Sequence, residues 1–200
     1  VLIFGVESDH IIESALQLVY TVICDDDTAF VNHFGQIIAT HCIALLSTYV
    51  ERLSSDSSDD VVLNIVSSTL KCIYRIRKLS DEEWCRINEL TLPSSSFGTY
   101  WSGTSTSSAS SSSSSASFFT NLAKCLIPYQ HCHQHRHRMV VNSAINVAAL
   151  FMSESKQEDQ IFDLFLKSGL LLLLRCHAEL SQFDLNGLHD TTKVHLYNVL

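Results

Sequence analysis

The stretch "NSAINVAALF" (residues 142–151) decides the fold that we predict, because two earlier segments repeat its pattern. These segments are "ESALQLVYTV" at residues 13–22 and "SSTLKCIYRI" at residues 67–76. Each contains a serine, then a small residue, then an aliphatic run. A pattern that recurs at intervals of tens of residues is typical of repeat architectures, in which each unit is one supersecondary element. The sequence therefore predicts a stack of similar helical units.

The segments that follow the first and third copies also correspond to each other. After the first copy come an acidic linker, "AFVNHF", Gly35 and "QIIATHCIALLSTYV". After the third come "ESKQED", "QIFDLFLKS", Gly169 and "LLLLLRCHAEL". We predict that each unit contains a long helix, a short helix, a corner at the glycine and a second long helix. The middle copy is interrupted by a serine tract before its final helix, "FFTNLAKCLI".

Apolar residues at helical spacing predict where the helices begin and end. In the helix that follows Gly35 we expect Ile37, Cys42 and Leu46 to face inward. The predicted helices cover residues 8–23, 28–34, 36–53, 60–77, a segment that carries Trp84, 118–127, 134–152, 157–167, 170–181, and a last one from 191.

This order of helices resembles the armadillo and HEAT-type repeats, and Gly35 and Gly169 match the corner at which that family favours glycine. The resemblance implies an all-α, right-handed α-solenoid of about two to three repeats. It divides the chain into helical repeats at residues 1–92, a disordered serine-rich loop at 93–117 and further repeats at 118–200. It also implies a non-catalytic scaffold that binds other proteins and packs against flanking repeats of the same chain.

The composition supports a helical protein and excludes several classes of partner. Apolar residues make up 46% of the chain, with 6 Gly and 2 Pro, and the net charge of −8 argues against nucleic-acid binding. Seven scattered cysteines without a CxxC pair are typical of a reducing compartment. The apolar run at residues 170–174 is too short to span a membrane. We expect a cytoplasmic or nuclear location. Because the chain begins without Met and ends within a predicted helix, we interpret it as an excerpt of a larger protein.

The sequence contains no pattern that predicts catalysis. It has no GxSxG, GxGxxG, P-loop or HExxH motif, so we expect neither an enzyme nor a cofactor. The adjacent residues Cys176 and His177 point about 100° apart on a helix, which does not make a catalytic dyad. The alternative is a helical-repeat region of a large multidomain enzyme or trafficking factor, such as a ubiquitin ligase or a chaperone-linked protein, with catalysis elsewhere.

The histidine-rich stretch "HCHQHRHR" at residues 131–138 is the strongest candidate for metal chemistry. If it is helical, His133 and His137 form one i,i+4 pair on the side of the packed face, and Cys125 is the one nearby candidate for a further ligand. This pattern predicts the polar entrance to a helix. The alternatives are a metal-dependent regulatory module built on His133 and His137, and a pH-sensitive interface.

The serine tract carries two further candidates. Tyr100 and Trp101 lie within it and would serve as anchors for a partner protein. The serines are also acceptors for phosphorylation, although an insertion tolerated at a loop tip explains the tract as well.

Overall fold

The computed structural model describes residues 9–25, 28–53, 60–79, 118–127, 135–155, 159–182 and 187–200. Within these ranges the chain forms eight helices packed against each other and no strand, which confirms the all-α prediction. We number the helices in chain order: α1 (Asp9–Cys24), α2 (Thr28–Leu53), α3 (Asp60–Leu79), α4 (Phe118–Leu126), α5 (His135–Ser155), α6 (Asp159–Lys167), α7 (Leu170–Gln182) and α8 (Asp190–Val199).

The predicted corner at Gly35 is wrong, because α2 continues through this residue as one helix. Glycine costs a helix only about 1 kcal/mol relative to alanine. Apolar residues on both sides of Gly35, such as Val31 and Ala39, are buried and hold both halves of α2 in place. That packing outweighs the cost, and Gly35 is itself buried.

The predicted corner at Gly169 is confirmed. Gly169 has a φ of +73°, a left-handed conformation that glycine adopts without the steric penalty of a Cβ atom. Two backbone hydrogen bonds close the end of α6, from Ser168 N to Leu164 O at 3.0 Å and from Gly169 N to Leu166 O at 3.1 Å. They satisfy carbonyls that the end of a helix leaves without partners, and α7 starts in a new direction.

The helices form two rows. Row one consists of α1, α3, α5 and α8, and each packs against the next. Row two consists of α2, α4 and α7, which also pack in that order. The rows contact each other through α2 with α3, α4 with α5, and α7 with α8, while α6 bridges α5 and α7. The three copies of the sequence repeat lie in α1, α3 and α5, so they are consecutive helices of row one.

Hydrogen bonds show that α1 runs parallel to α3 in row one and that α2 runs parallel to α4 in row two. Between α1 and α3, Asn64 Nδ2 donates to Glu13 Oε1 at 2.7 Å, and Arg75 Nη2 donates to Cys24 O at 3.5 Å. Residue numbers rise together along both helices. In row two, Asn121 Nδ2 donates to Ser47 Oγ at 2.8 Å, and one turn later Lys124 pairs with Glu51. Parallel neighbours within each row are the geometry expected when one unit repeats.

The core lies between the rows and follows the repeat. Leu16, Leu70 and Ile145 occupy the same position in the three copies, and all three are buried. Near α4 the core becomes aromatic, and edge-on and tilted ring contacts join helices that are distant in sequence. Phe119 contacts Phe151 of α5 with ring centroids 5.8 Å apart, and it contacts Phe165 of α6 at 4.9 Å.

By length and apolar composition, α2 is the one helix in the described ranges that could cross a membrane. One of its faces lies in the core, where Leu45, Leu46 and Val50 are buried. Helices α3 and α4 cover this face. Core helices of water-soluble proteins have the same composition.

Candidate functional site

The structure describes part of the proposed metal site. His137 lies in the first turn of α5 and is only 6% exposed, on the packed side where the sequence predicted it. His133 lies outside the described residues, so the structure does not test the predicted pair of His133 and His137. Among the residues that the structure describes, no three His, Cys, Asp or Glu side chains form a group that could hold a metal ion.

Cys125, the suggested further ligand, is buried in α4. Burial raises the pKa of its thiol to about 12, since a thiolate loses its hydration in an apolar site. A cysteine binds a metal as the thiolate. At neutral pH, therefore, Cys125 behaves as a small core residue.

The suggested partner anchors Tyr100 and Trp101, together with the serine tract at residues 93–117, lie outside the described residues. The segment that carries Trp84 also lies outside them.

Cys176 and His177 face different environments, as the helical geometry predicted. The Cys176 side chain is exposed, whereas His177 is buried. His177 Nε2 donates to the backbone carbonyl of Leu126 at 2.8 Å and thereby satisfies the end of α4. Burial lowers the pKa of His177, so the neutral imidazole is favoured in the folded chain. This histidine joins α7 to α4.

A second polar cluster, not foreseen from the sequence, joins the start of α1 to the end of α2. Tyr49 Oη donates to Asp9 Oδ1 at 2.7 Å, and Arg52 Nη2 donates to Asp9 Oδ2 at 2.8 Å. These hydrogen bonds, with Arg52 first, lower the pKa of Asp9. Burial and the neighbouring carboxylate raise the pKa of Tyr49 to about 12. The cluster fixes two antiparallel helices against each other, and no signal in the sequence relates residues so far apart.

Exposed large apolar side chains occur mainly at the two ends of the rows. The N-terminal end surface, on α1 and α2, consists of Ile11, Leu18, Val22, Phe34 and Ile37. The C-terminal end surface, on α6, α7 and α8 and the residue after it, consists of Phe162, Leu166, Leu172, Val194, Tyr197 and Leu200. Of the described residues, α3 and α5 in the middle of row one contribute none. The prediction that Ile37 faces inward is therefore wrong, because it lies where row two ends and no described helix covers it.

The C-terminal end surface contains a groove of about 670 Å³. Leu166, Leu172, Tyr197 and Leu200 form its apolar wall, and the exposed ion pair of Arg175 and Glu179 lies at its edge.

A smaller polar cavity, which we call the row-one cleft, lies between helices of row one. Its volume is about 250 Å³, and α1, α3, α5 and the residue before α8 form its walls. The residues that carry its chemistry are Tyr20, Lys71, Tyr74, Ser143, Asn146 and His189.

Comparison with known proteins identifies no relative: no family model, no curated protein and no solved structure matches this chain.

Proposed function

We propose that the chain is a non-catalytic segment of a larger armadillo- or HEAT-like, right-handed α-solenoid that binds other proteins through its stacked helices. Further repeats of the same protein cover the two end surfaces. The proposed location is the cytoplasm, or the nucleus, where the buried cysteines stay reduced.

The observation that carries this proposal is the position of the exposed apolar side chains. Leu18 and Leu172 are each 68% exposed, and they lie at opposite ends of the stack. Soluble proteins rarely leave contiguous apolar surface open unless it forms an interface. In a repeat protein each unit covers the apolar face of its neighbour, so apolar surface at both ends is expected of an internal segment.

The parallel rows are the second support. Copies of the repeat that are far apart in sequence lie side by side in α1, α3 and α5. This arrangement leaves one long continuous side along row one, where a partner could contact several units at once. Such extended surfaces are what stacked helical repeats use for binding.

The environment of the thiols supports a non-catalytic role. Cys42 and Cys72 are buried at the contact of α2 with α3. A hydrogen bond to Cys72 and burial raise the pKa of Cys42 well above its ordinary value. A nucleophilic cysteine requires a lowered pKa and access to substrate.

A crosslinking experiment in cells tests the proposal. A photo-crosslinking amino acid would replace the exposed Lys78 on row one or the exposed Thr48 on row two, and crosslinked proteins would be identified by mass spectrometry. Each would then be purified, and its binding to this chain would be measured by calorimetry. Saturable binding of a purified protein supports the scaffold role. If no crosslinked protein binds the purified chain, the proposal fails.

A further inference from the structure

We infer that the row-one cleft binds the carboxylate of an acidic side chain in a partner peptide. This inference rests on the proposed scaffold function and names the chemistry that one of its surfaces recognises. The argument starts from the charge of the cleft, proceeds to its neutral donors and then to its size.

The charge in the cleft is positive although the whole chain is acidic. Lys71 is half-buried in α3, and no Asp or Glu is among the described side chains that line the cleft. Lys124, Lys193 and Arg52 all have carboxylate partners. For Lys71 the described part of the chain provides none.

A second positive charge lies one turn further along α3. Arg75 donates to the carbonyl of Cys24 at 3.5 Å, which holds its guanidinium near the contact of α1 with α3. A cation in a partly enclosed site attracts an anion more strongly than a cation on the exposed surface does.

A neutral donor on the next helix of the row lines the same cleft as Lys71. Asn146 occupies the same position of the repeat as Lys71, and both side chains line the cleft. His195 Nδ1 lies 3.0 Å from Asn146 Oδ1. With His195 as the donor, the Asn146 Nδ2 group remains to donate to a ligand. An ammonium and an amide N–H₂ together fit an acceptor with two oxygen atoms.

The frame of the cleft is fixed by bonds that a ligand would not disturb. Ser67 Oγ and Ser143 Oγ lie 3.3 Å apart in the contact of α3 with α5. Asn142 Oδ1 accepts from His189 N at 2.9 Å and holds the start of α8 against α5. The walls are therefore formed before a ligand arrives, which lowers the entropic cost of binding.

The size of the cleft selects a side chain rather than a cofactor. Its 250 Å³ is below the volume of the usual small-molecule pocket, which begins at about 300 Å³. Tyr20 and Tyr74, at the same position of two repeats, contribute rings that can cover the methylene groups of a glutamate.

A titration of the ¹⁵N-labelled 200-residue chain tests the inference. The probes are the capped tripeptide acetyl-Gly-Glu-Gly-amide and its neutral counterpart with Gln in place of Glu. The Glu peptide is expected to cause saturable shifts of the Lys71 and Asn146 amide signals. The affinity for the Gln peptide is expected to be about tenfold lower, since a hydrogen bond to a charged group is lost. Equal affinity for the two peptides, or no saturable shift, would overturn the inference.

Substitutions within α3 provide matched controls. Lys71→Met is expected to lower the affinity for the Glu peptide about tenfold, whereas Lys71→Arg keeps it within about twofold. Lys78→Met removes an exposed lysine of the same helix, outside the cleft, and is expected to leave the affinity unchanged. Equal loss in Lys71→Met and Lys78→Met contradicts a role of the cleft. If Lys71→Met fails to fold, the comparison of Glu and Gln peptides on the unmodified chain decides.

The titration and the crosslinking experiment can fail independently. If a purified partner binds the chain and its Lys71→Met variant equally well, the result contradicts the cleft inference but leaves the scaffold proposal intact. If the Glu peptide binds and no protein partner does, recognition of a carboxylate by the cleft is supported, whereas the scaffold proposal fails.

Discussion

His177 Nε2 donates a hydrogen bond of 2.8 Å to the carbonyl oxygen of Leu126, so a buried imidazole on α7 completes the end of α4. The two residues belong to neighbouring helices of row two, and their bond is inside the stack. It links the protonation of one side chain to the stability of a contact between repeats.

We predict that the chain loses stability as the pH falls below about 6.5. Burial lowers the pKa of His177 in the folded state, so the unfolded chain binds a proton first. The stabilising effect of the neutral imidazole is therefore complete above the unfolded pKa of 6.5 and decreases as the pH falls through the folded pKa. The melting temperature, measured between pH 8 and pH 5 in steps of about half a pH unit, checks this prediction. His177→Gln should flatten this profile, while His10→Gln, at an exposed position, should not; identical profiles for both variants would rule out His177 as the cause.

Asp9→Asn should lower the free energy of unfolding by about 0.5–1 kcal/mol, because Asp9 is a partly exposed carboxylate that pairs with Arg52 and Tyr49. The hydrogen bonds lower the pKa of Asp9, so its contribution is present above the unfolded pKa of 3.8 and disappears as the pH falls through the folded value. Urea unfolding at pH 7 and at about pH 3 measures the difference. A double-mutant cycle with Arg52→Gln isolates the pair, and a coupling energy of zero would show that the ion pair contributes nothing.

Gly169→Val should destabilise the chain by about 1–2 kcal/mol, because a β-branched residue is strained at the φ of +73°. The effect comes from the backbone and not from crowding, since a Cβ atom at this position meets nothing within 4 Å. Gly169→Asn is the matched control, because asparagine tolerates the left-handed conformation. Thermal unfolding of both variants provides the comparison, and equal destabilisation by Asn and Val would show that φ is not the constraint.

Truncation of two leucines of α1 should lower the free energy of unfolding by very different amounts. Leu16 is 1% exposed and Leu18 is 68% exposed. We expect Leu16→Ala to cost about 2–5 kcal/mol, and Leu18→Ala to change the stability by less than about 0.5 kcal/mol. Chemical unfolding measures these effects, and a large loss of stability in Leu18→Ala would mean that the N-terminal end surface is core.

Leu18→Glu and Leu172→Glu should reduce any self-association of the isolated chain, because they place charge on the two end surfaces. Sedimentation velocity measures this effect.

The purified chain should retain well under one equivalent of zinc after dialysis. Among the described residues no three His, Cys, Asp or Glu side chains form a group that could hold a metal ion, and a metal would have to displace the proton of the Cys125 thiol, whose pKa burial raises to about 12. Elemental analysis of the chain and of a His133→Ala, His137→Ala variant is the direct measurement. A full equivalent in the original chain that disappears in the variant would instead establish the metal-dependent module.

Periodicity predicted the helices well, because an apolar stripe at helical spacing depends on nearby residues alone. The pattern at residues 142–151 predicted α5, and the two earlier copies predicted α1 and α3. Gly169 was identified as a corner, but Gly35 was not recognised as part of a continuous helix. The two glycines differ in tertiary packing, since buried neighbours extend α2 through Gly35.

The polar clusters were beyond prediction from a single sequence. Asp9 meets Arg52 only because α1 and α2 fold back on each other, and spacing along the chain does not encode that contact. The row-one cleft likewise requires knowledge that Lys71 and Asn146 come from adjacent helices. The apolar stripes indicated which faces are apolar, but they did not indicate which of those faces a neighbour covers, and Ile37 was misplaced for this reason.

The order of contacts within the rows implies that local stability varies along the stack. Helix α1 has one neighbour in its row, whereas α3 and α5 each have one on either side. Opening of α1 therefore disrupts fewer packed surfaces than opening of the middle helices does. Backbone amides of α1 should exchange with solvent sooner than those of α3, and local unfolding should proceed from the ends of the rows toward the middle. In a longer array of such units, fraying would be confined to the two outermost repeats.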